Sequence, residues 1–230
     1  MNIFFVESNR VTGDIFELKG QEAQHAAKVL RLRNGDEIHA TDGEGKRYTG
    51  IVTSINKDSV TASIKEKKEV PESKPHLILA MGIIKKRDRL EFALEKAVEL
   101  GASEIVLFNS DHTEKTNVRV DRLETIAMSA MKQSLRSWLP KVLLHKSLED
   151  VLKSYPEFEV LMAHEKISED LNSESSKTLK DNMLLLVGPE GGFSDREVEL
   201  VKQNGGELVS LGEYRLRAET AAVAFLSRFI

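Results

Sequence analysis

The region after Pro75 alternates between short apolar runs and segments with helical periodicity, and this alternation limits the fold more than any other feature of the sequence. The apolar runs have the length and continuity of strands that are buried on both faces. They lie at Leu77–Met81, Ile105–Phe108, Val160–Ala163, Met183–Val187 and Leu208–Leu211. Strands that alternate with helices form a parallel sheet covered on both faces. We therefore predict an α/β domain with a mostly parallel sheet after Pro75.

Apolar residues at helical spacing fill the gaps between these runs. One stripe, Leu90–Val98, ends just before Gly101, and glycine is a common helix stop. A second stripe, Leu123–Leu135, has Asp121 as its predicted N-cap, and Glu124 follows at the spacing of a capping box. These two stripes predict two helices.

Residues 1–66 contain short β-type runs separated by turn residues, with one short helix from Gly20 to Leu30. The runs are Asn2–Val6, Asp14–Leu18, Glu37–Thr41, Tyr48–Ile55 and Val60–Lys65. This spacing predicts a small β-barrel or sandwich. Residues 67–75 are charged, contain prolines and show no periodicity, which is typical of a linker. We therefore predict two domains, residues 1–70 and 71–230.

The composition excludes several kinds of chemistry. The chain has no cysteine, so disulfides, zinc-thiolate sites, iron–sulfur clusters and cysteine nucleophiles are excluded. Its six histidines lack the spacings of metal-binding motifs, so no metal site is predicted. No apolar run reaches the roughly 18 residues of a transmembrane helix, so we expect a soluble cytoplasmic protein without a membrane partner.

Two local basic clusters stand out on a chain whose net charge of −4 argues against gross coating by nucleic acid. The first cluster contains Lys28, Arg31 and Arg33, and the second contains Lys85, Lys86, Arg87 and Arg89. Most charge runs are solvated faces, and that interpretation stays open for each cluster. Two clusters on an acidic protein also fit a surface that contacts phosphate groups.

The most informative stretch is residues 184–197, where a buried strand enters a glycine-rich turn, Gly188–Gly192, and then a helix. Ser194 and Glu197 have capping-box spacing at the start of that helix. Ligands of α/β proteins bind beyond the carboxyl ends of strands, where glycine lets the backbone approach them. A tight connection that needs glycine only for its dihedral angles explains the turn equally well. The turn is not a Walker loop, which disfavours a nucleotide phosphate site.

A second corner of this kind follows the last predicted strand. It contains Leu211 and Gly212, then Arg215 and Arg217, and it leads directly into a helix. Residues Arg217 and Glu219 are either a surface ion pair or part of a site. Their position beside the carboxyl end of a strand favours a functional role.

These motifs resemble those of the RsmE methyltransferases of the SPOUT superfamily, which methylate N3 of a uridine, uridine 1498, in 16S ribosomal RNA. The resemblance covers essentially the whole chain and is strongest at Gly188–Ser194 and at residues 211–212 and 216–221. Further matches occur at His25, Val29–Arg31, Asn34–Asp36, Lys96, Glu99–Gly101, Ala130, Gln133–Ser134, Arg136 and Pro140.

The resemblance implies a fold and a cofactor. Residues 1–70 would form a PUA-like β-barrel that binds RNA, and residues 71–230 a SPOUT α/β domain with a trefoil knot within residues 158–230. The cofactor, S-adenosylmethionine, would bind in the knot loops. By position these loops supply Leu161, Met162, Ala163, His164, Glu165, Val187, Gly188, Pro189, Glu190, Gly191, Gly192, Leu211, Gly212, Arg215, Leu216 and Arg217. The RNA contacts would come from Lys28, Arg31, Arg33, Lys85, Lys86, Arg87 and Arg136.

Under this resemblance the reaction is methyl transfer to uracil N3, from which a proton must leave. Arg217 or Arg136 would stabilise the developing anion. Glu219 would accept the proton or hold Arg217 in place. The RNA partner would be 16S rRNA or the small ribosomal subunit.

A homodimer is also implied, because SPOUT relatives dimerise through knot helices. The last predicted helix, Ala221–Ile230, is apolar on nearly every face, so one face needs a partner. A two-fold homodimer is the commonest way to bury such a patch. We expect Phe225 and Phe229 to lie at this interface.

The chain departs from the family pattern at several positions. Tyr214 and Arg215 stand where an arginine and an aliphatic residue are usual, Lys132 stands where glutamate is common, and Lys115 stands where arginine is usual. These departures keep an alternative open, in which the chain is a ribosome-associated RNA-binding protein of the same fold with lost or altered methyl transfer.

Overall fold

The computed structural model describes residues 2–114, 117–165 and 181–230. Its contacts divide the chain into two compact units. The first unit contains the residues up to Glu72 together with Met128–Leu139, and the second contains Ser73–Ala127 and Pro140–Ile230. None of the helices in the described ranges has the length and apolar character of a membrane span.

The first unit is built on a sheet to which six strands of the described residues contribute. They are β1 (Ile3–Phe5), β2 (Val11–Thr12), β3 (Ile15–Lys19), β4 (Glu37–Thr41), β5 (Lys46–Ile55) and β6 (Ser59–Glu69). The order is β1-β4-β5-β6-β3-β2, in which β1 and β4 are parallel and the other pairs antiparallel. Phe16, Leu18 and Ile38 lie in its core, which confirms the predicted β-rich region.

Two local predictions for the first unit are corrected. The helix α1 covers only Gly20–Gln24 and continues as a π-helical turn, His25–Val29. The linker does not begin at Lys67, because β6 continues to Glu69 and pairs there with the start of β5. This end of β6 is exposed on both faces. Backbone hydrogen bonds to β5 hold this end of the strand. Because neither of its faces is buried, the sequence there lacks the alternation of apolar and polar residues that predicts a strand.

The segment Met128–Leu139 packs in the first unit through specific contacts. The Trp138 Nε1 donates to the Val70 carbonyl oxygen at 2.9 Å, and the Arg47 Nε donates to the Ser137 Oγ at 2.5 Å. A Cβ on Gly45 would lie 2.4 Å from the Trp138 ring, so this position requires glycine. The first unit is therefore built from two stretches of the chain.

The second unit is built on a parallel sheet, as predicted. Its strands in the described residues are β7 (His76–Gly82), β8 (Glu104–Phe108), β9 (Lys141–His145), β10 (Glu159–Ala163), β11 (Asn182–Val187) and β12 (Glu207–Val209), in the order β12-β10-β11-β7-β8-β9. The helices are α2 (Arg87–Glu99), α3 (Val120–Gln133), α4 (Leu148–Ser154), α5 (Asp195–Gln203) and α6 (Ala218–Leu226). The helix α3 begins in the second unit and ends in the first.

Helices cover both faces of this sheet. Leu184 of β11 lies in one apolar cluster with Val151 of α4 and Val201 of α5. Successive strand residues point to opposite faces, and α6 packs against β11 and β7 in addition to α2. The prediction of a parallel sheet between helical layers is therefore confirmed.

Two helix boundaries differ from the predictions, and two elements were not predicted. The helix α3 begins at Val120, so Asp121 lies in its first turn and is not the N-cap. The last helix ends at Leu226 and is followed by a 3-10 turn, Ser227–Phe229. Strand β9 was not predicted, because its apolar run, Val142–Leu144, is shorter than the roughly four to eight residues that indicate a buried strand. Helix α4 was not predicted either.

Candidate functional site

A cavity of about 1000 Å³ lies at the carboxyl ends of the neighbouring parallel strands β12, β10 and β11. The loop after each strand contributes to its wall, and so does the first turn of α6. This edge of a parallel sheet is where α/β proteins bind ligands. The lining includes these proposed cofactor residues: Ala163, His164, Glu165, Val187, Gly188, Pro189, Glu190, Gly191, Gly192, Leu211, Gly212, Arg215, Leu216 and Arg217. Leu161 and Met162 are not in the lining, because both are buried within β10.

The glycine-rich turn is closed by its own backbone. The Gly192 amide donates to the Pro189 carbonyl oxygen at 2.9 Å, and Gly192 has a φ of 68°. A Cβ on Gly188 would lie 3.0 Å from the Gly192 carbonyl carbon. The turn thus requires glycine for its shape, and it also presents glycine backbone to the cavity. The dihedral requirement is therefore confirmed, and ligand binding at these glycines stays a prediction.

The predicted capping box follows the turn and is confirmed. The Ser194 Oγ accepts from the Glu197 amide at 3.2 Å, and the Glu197 Oε2 accepts from the Ser194 amide at 2.9 Å. Glu197 is only 1% exposed, and its carboxylate also accepts from the Ser110 hydroxyl at 3.0 Å and from the Asp111 amide at 3.2 Å. These bonds tie the segment after β8 to the start of α5.

A second tie between the same segments involves Asp111. Its carboxylate accepts from the Ser194 hydroxyl at 2.5 Å and from the Arg196 Nη2 at 2.6 Å. Hydrogen bonding to Arg196, and then to Ser194, lowers the pKa of Asp111 to about 2. Arg196 also pairs with Glu149 of α4. The loop that carries the glycine turn is therefore anchored on two sides.

His112, which belongs to no sequence motif of the predicted site, lies in the cavity wall. Its Nδ1 is 3.1 Å from the Gly191 carbonyl oxygen and 3.2 Å from the Gly192 carbonyl oxygen. The position of His112 just after β8 could have indicated that it belongs to the site, because the carboxyl ends of all strands of a parallel sheet lie at one edge.

The cationic partner of Glu219 is not the expected one. Glu219 pairs with Arg89 of α2, whose Nε is 3.5 Å from the Glu219 Oε1, and both residues line the cavity. Arg217 is the N-cap residue of α6, is exposed and lines the cavity, but forms no ion pair within the described ranges. The hypothesis that Glu219 holds Arg217 is therefore replaced by an Arg89–Glu219 pair.

The two departures at the second corner lie at the exposed side of the cavity. The Tyr214 side chain lines it and is 80% exposed. Arg215 pairs with Glu165 at 3.2 Å, which links the loop after β12 to the loop after β10. Lys132 pairs with Glu22 in the first unit, and Lys115 lies outside the described residues.

The residues proposed to contact RNA differ in their exposure and in their ion pairs. Lys28, Arg31 and Arg33 are exposed and form no ion pair in the described parts of the chain. In the second cluster, Lys85 pairs with Glu114 at 2.5 Å and Arg87 with Glu91 at 3.3 Å, whereas Lys86 is exposed. Arg136 is half-buried in the first unit, and burial lowers the pKa of its guanidinium. The described residues contain no cluster of side chains suited to a metal ion.

Comparison with known proteins assigns the family. The sequence profile described as RNA methyltransferase domain matches residues 71–230, and the one described as RNA methyltransferase PUA domain matches residues 18–65. The ribosomal RNA small subunit methyltransferase E of Mesomycoplasma hyopneumoniae is 31% identical over 99% of this chain and 98% of its own, and that of Rickettsia conorii is 30% identical over 99% and 94%.

A solved structure shares the fold over nearly its full length. The ribosomal RNA small subunit methyltransferase E from Neisseria gonorrhoeae, crystallised with S-adenosyl methionine, is 29% identical, covers 99% of this chain and 96% of its own, and has a TM-score of 0.85. The family profile matches well over half of the present chain, and the matching relatives span it almost completely. The chain therefore belongs to the ribosomal RNA small subunit methyltransferase E family, whose members are RNA methyltransferases of the SPOUT fold class with a PUA-like N-terminal domain.

Proposed function

We propose that this protein binds S-adenosylmethionine and methylates uracil N3 in 16S rRNA, at uridine 1498 by resemblance to the family. The observation that carries the proposal is the cavity at the ends of β12, β10 and β11, in a chain whose relative from Neisseria gonorrhoeae was crystallised with this donor. The substrate partner is 16S rRNA or the small ribosomal subunit.

The residues of the cavity fit such a donor. Its volume of about 1000 Å³ is at the upper end of the range for small-molecule sites. Gly192 and Gly212 both have positive φ, and a Cβ built on either meets no atom within 4 Å. The backbone at these two glycines is therefore open to a ligand. Apolar side chains such as Val187 and Leu216 line the same space.

Each residue of the site has a defined task in this proposal. The donor supplies a methyl group carried on a sulfonium. The chain aligns the uracil for in-line transfer and excludes water, and such alignment supplies several kcal/mol of catalysis. The Arg217 guanidinium stabilises the negative charge that develops on the uracil, and Glu219, held by Arg89, accepts the N3 proton. The resemblance also offers Arg136 for the cationic role, although this residue does not line the cavity.

The proposal includes an assembly. Residues 1–70 bind RNA through Lys28, Arg31 and Arg33, while residues 71–230 carry the transferase site, with a trefoil knot within residues 158–230. Two copies of the chain form a homodimer through their C-terminal helices. The SPOUT resemblance supports both the knot and the homodimer.

A second candidate function is RNA binding without methyl transfer at uracil N3. It is favoured by Tyr214, whose exposed ring stands at the cavity in place of the arginine usual in the family. Under this function the chain would bind 16S rRNA without an effect on uridine methylation.

Two measurements separate these functions. Calorimetry should detect saturable binding of S-adenosylmethionine, and mass mapping should find N3-methyluridine in 16S rRNA from the wild-type strain but not from a strain that lacks this protein. The Glu219→Gln variant, expressed in the deletion strain, is the control for catalysis by this chain. Donor binding with unchanged methylation in the deletion strain would favour the second function, and no donor binding would refute the first.

A further inference from the structure

We infer that His112 is a positioning residue that holds the Gly188–Gly192 turn in its donor-binding shape. This inference rests on the proposed function, because it concerns the turn that would contact S-adenosylmethionine. The imidazole reaches the turn from the segment after β8, which no sequence motif assigned to the site. It lies in the cavity wall next to the turn itself.

The hydrogen bonds of His112 define its chemistry. The Nδ1 lies 3.1 Å from the Gly191 carbonyl oxygen and 3.2 Å from the Gly192 carbonyl oxygen. A carbonyl oxygen only accepts, so the Nδ1 must carry the proton and donate it. One N–H is thus shared between two successive carbonyl groups of the turn. A side chain without an N–H at this point cannot replace it.

The His112 side chain also lies close to the backbone of the turn. A Cβ on Gly191 would lie 3.0 Å from the His112 Cβ, a distance tighter than almost all real contacts. Glycine at position 191 therefore lets the histidine approach the backbone closely. A Gly191→Val substitution would push against His112 first, so it reports on this contact as well as on the donor.

The segment that carries His112 is itself held by hydrogen bonds. The Asp111 carboxylate accepts from Ser194 and Arg196, which follow the turn in the chain. Within the segment, the Ser110 amide donates to the Thr113 Oγ1 at 2.9 Å, and the Thr113 amide donates to the Ser110 carbonyl oxygen at 2.9 Å. An anchored side chain can impose a fixed position on the turn, whereas a mobile one cannot.

Three substitutions at position 112 test this inference. An asparagine places its Nδ2–H where the histidine has its Nδ1–H, a glutamine places its amide one bond further out, and an alanine has no donor. We expect His112→Ala and His112→Gln to weaken S-adenosylmethionine binding about 3- to 10-fold, the size of one missing hydrogen bond. His112→Asn should stay within about 2-fold of wild type. Binding of 16S rRNA should not change in any of the three.

A measurement without donor makes the test independent of the proposed function. Exchange of the Gly192 amide, which donates to the Pro189 carbonyl oxygen, should accelerate in His112→Ala and His112→Gln but not in His112→Asn. Equal behaviour of asparagine and alanine in exchange would overturn the inference, as would unchanged exchange in alanine. If wild-type protein binds no donor, the proposed function fails, while the exchange data still decide the role of His112.

Discussion

Arg89 and Glu219 form an ion pair between helices α2 and α6, with the Arg89 Nε 3.5 Å from the Glu219 Oε1. The Glu219 side chain is only 12% exposed and that of Arg89 is 31% exposed, yet both line the cavity. A carboxylate that is mostly withdrawn from water needs a partner. The guanidinium of Arg89 provides one and thereby sets where the carboxylate lies.

We expect the substitutions Glu219→Gln and Arg89→Met to lower kcat by a common mechanism. Loss of a proton acceptor costs about 100-fold or more, and loss of the residue that positions it costs about 10-fold. The double variant should be no worse than Glu219→Gln alone, as steady-state kinetics can show. Arg122→Met is the control, since it also breaks an ion pair to α2, with Glu91, but Arg122 does not line the cavity. Fully additive losses would contradict a shared role.

RNA binding should depend on the first basic cluster through its charge. Replacing Lys28, Arg31 and Arg33 with alanine should weaken binding of 16S rRNA and flatten its salt dependence, by about 0.7 to 0.9 in the log–log slope for each phosphate group that is no longer neutralised. Titrations at several salt concentrations measure this slope, and donor affinity should stay unchanged. Lys57→Ala, at an exposed turn of the same unit, is the matched control. An unaltered slope would indicate that the cluster is a solvated surface without a role in RNA binding.

The parallel sheet and the cavity loops after β11 and β12 were predictable because their signals are local. Continuous apolar runs mark the strands, and glycines mark the two corners, at Gly188–Gly192 and at Gly212. The capping box of α5 was also predictable from the sequence, since Ser194 and Glu197 lie three residues apart.

The contacts that complete the site were not predictable in the same way, because they join distant parts of the chain. Arg89 and Glu219 are far apart in sequence, and so are His112 and Gly191. The sequence pattern around one residue of such a pair does not indicate which residue is its partner. Arg217 was the nearer candidate for Glu219, but helix packing brings α2 beside α6 and supplies a different cation.

The Tyr214 ring should contribute to RNA recognition by stacking. The ring is 80% exposed at the cavity, and aromatic faces bind unstacked bases with about 1–3 kcal/mol per base. We expect Tyr214→Ala to raise the KM for RNA about 5-fold or more, while Tyr214→Phe stays close to wild type. Donor affinity should not change in either variant. A loss of donor affinity in Tyr214→Ala would instead assign the ring to the donor.

Acid should loosen the anchor at Asp111. Its pKa of about 2 in the folded protein lies below its ordinary value of 3.8, mainly because Arg196 hydrogen-bonds its carboxylate. The resulting stability is fully present above about pH 4 and is lost as the pH falls from about 4 to 2. Urea unfolding midpoints across this range should fall less steeply for Asp111→Asn than for wild type. Asp58→Asn, at an exposed turn, should behave like wild type.

The proposed homodimer is best tested at residues whose side chains are partly or fully exposed in the single chain. Phe225, expected at the interface, is fully buried within its own unit, so Phe225→Asp should unfold the protein. Val223 is only partly buried and Ile230 is 75% exposed. We therefore expect Val223→Asp and Ile230→Asp to yield folded monomers with reduced methyl transfer, as judged by light scattering and circular dichroism, whereas Arg228→Gln should remain dimeric. A wild-type protein that is monomeric and fully active at low micromolar concentration would refute the dimer.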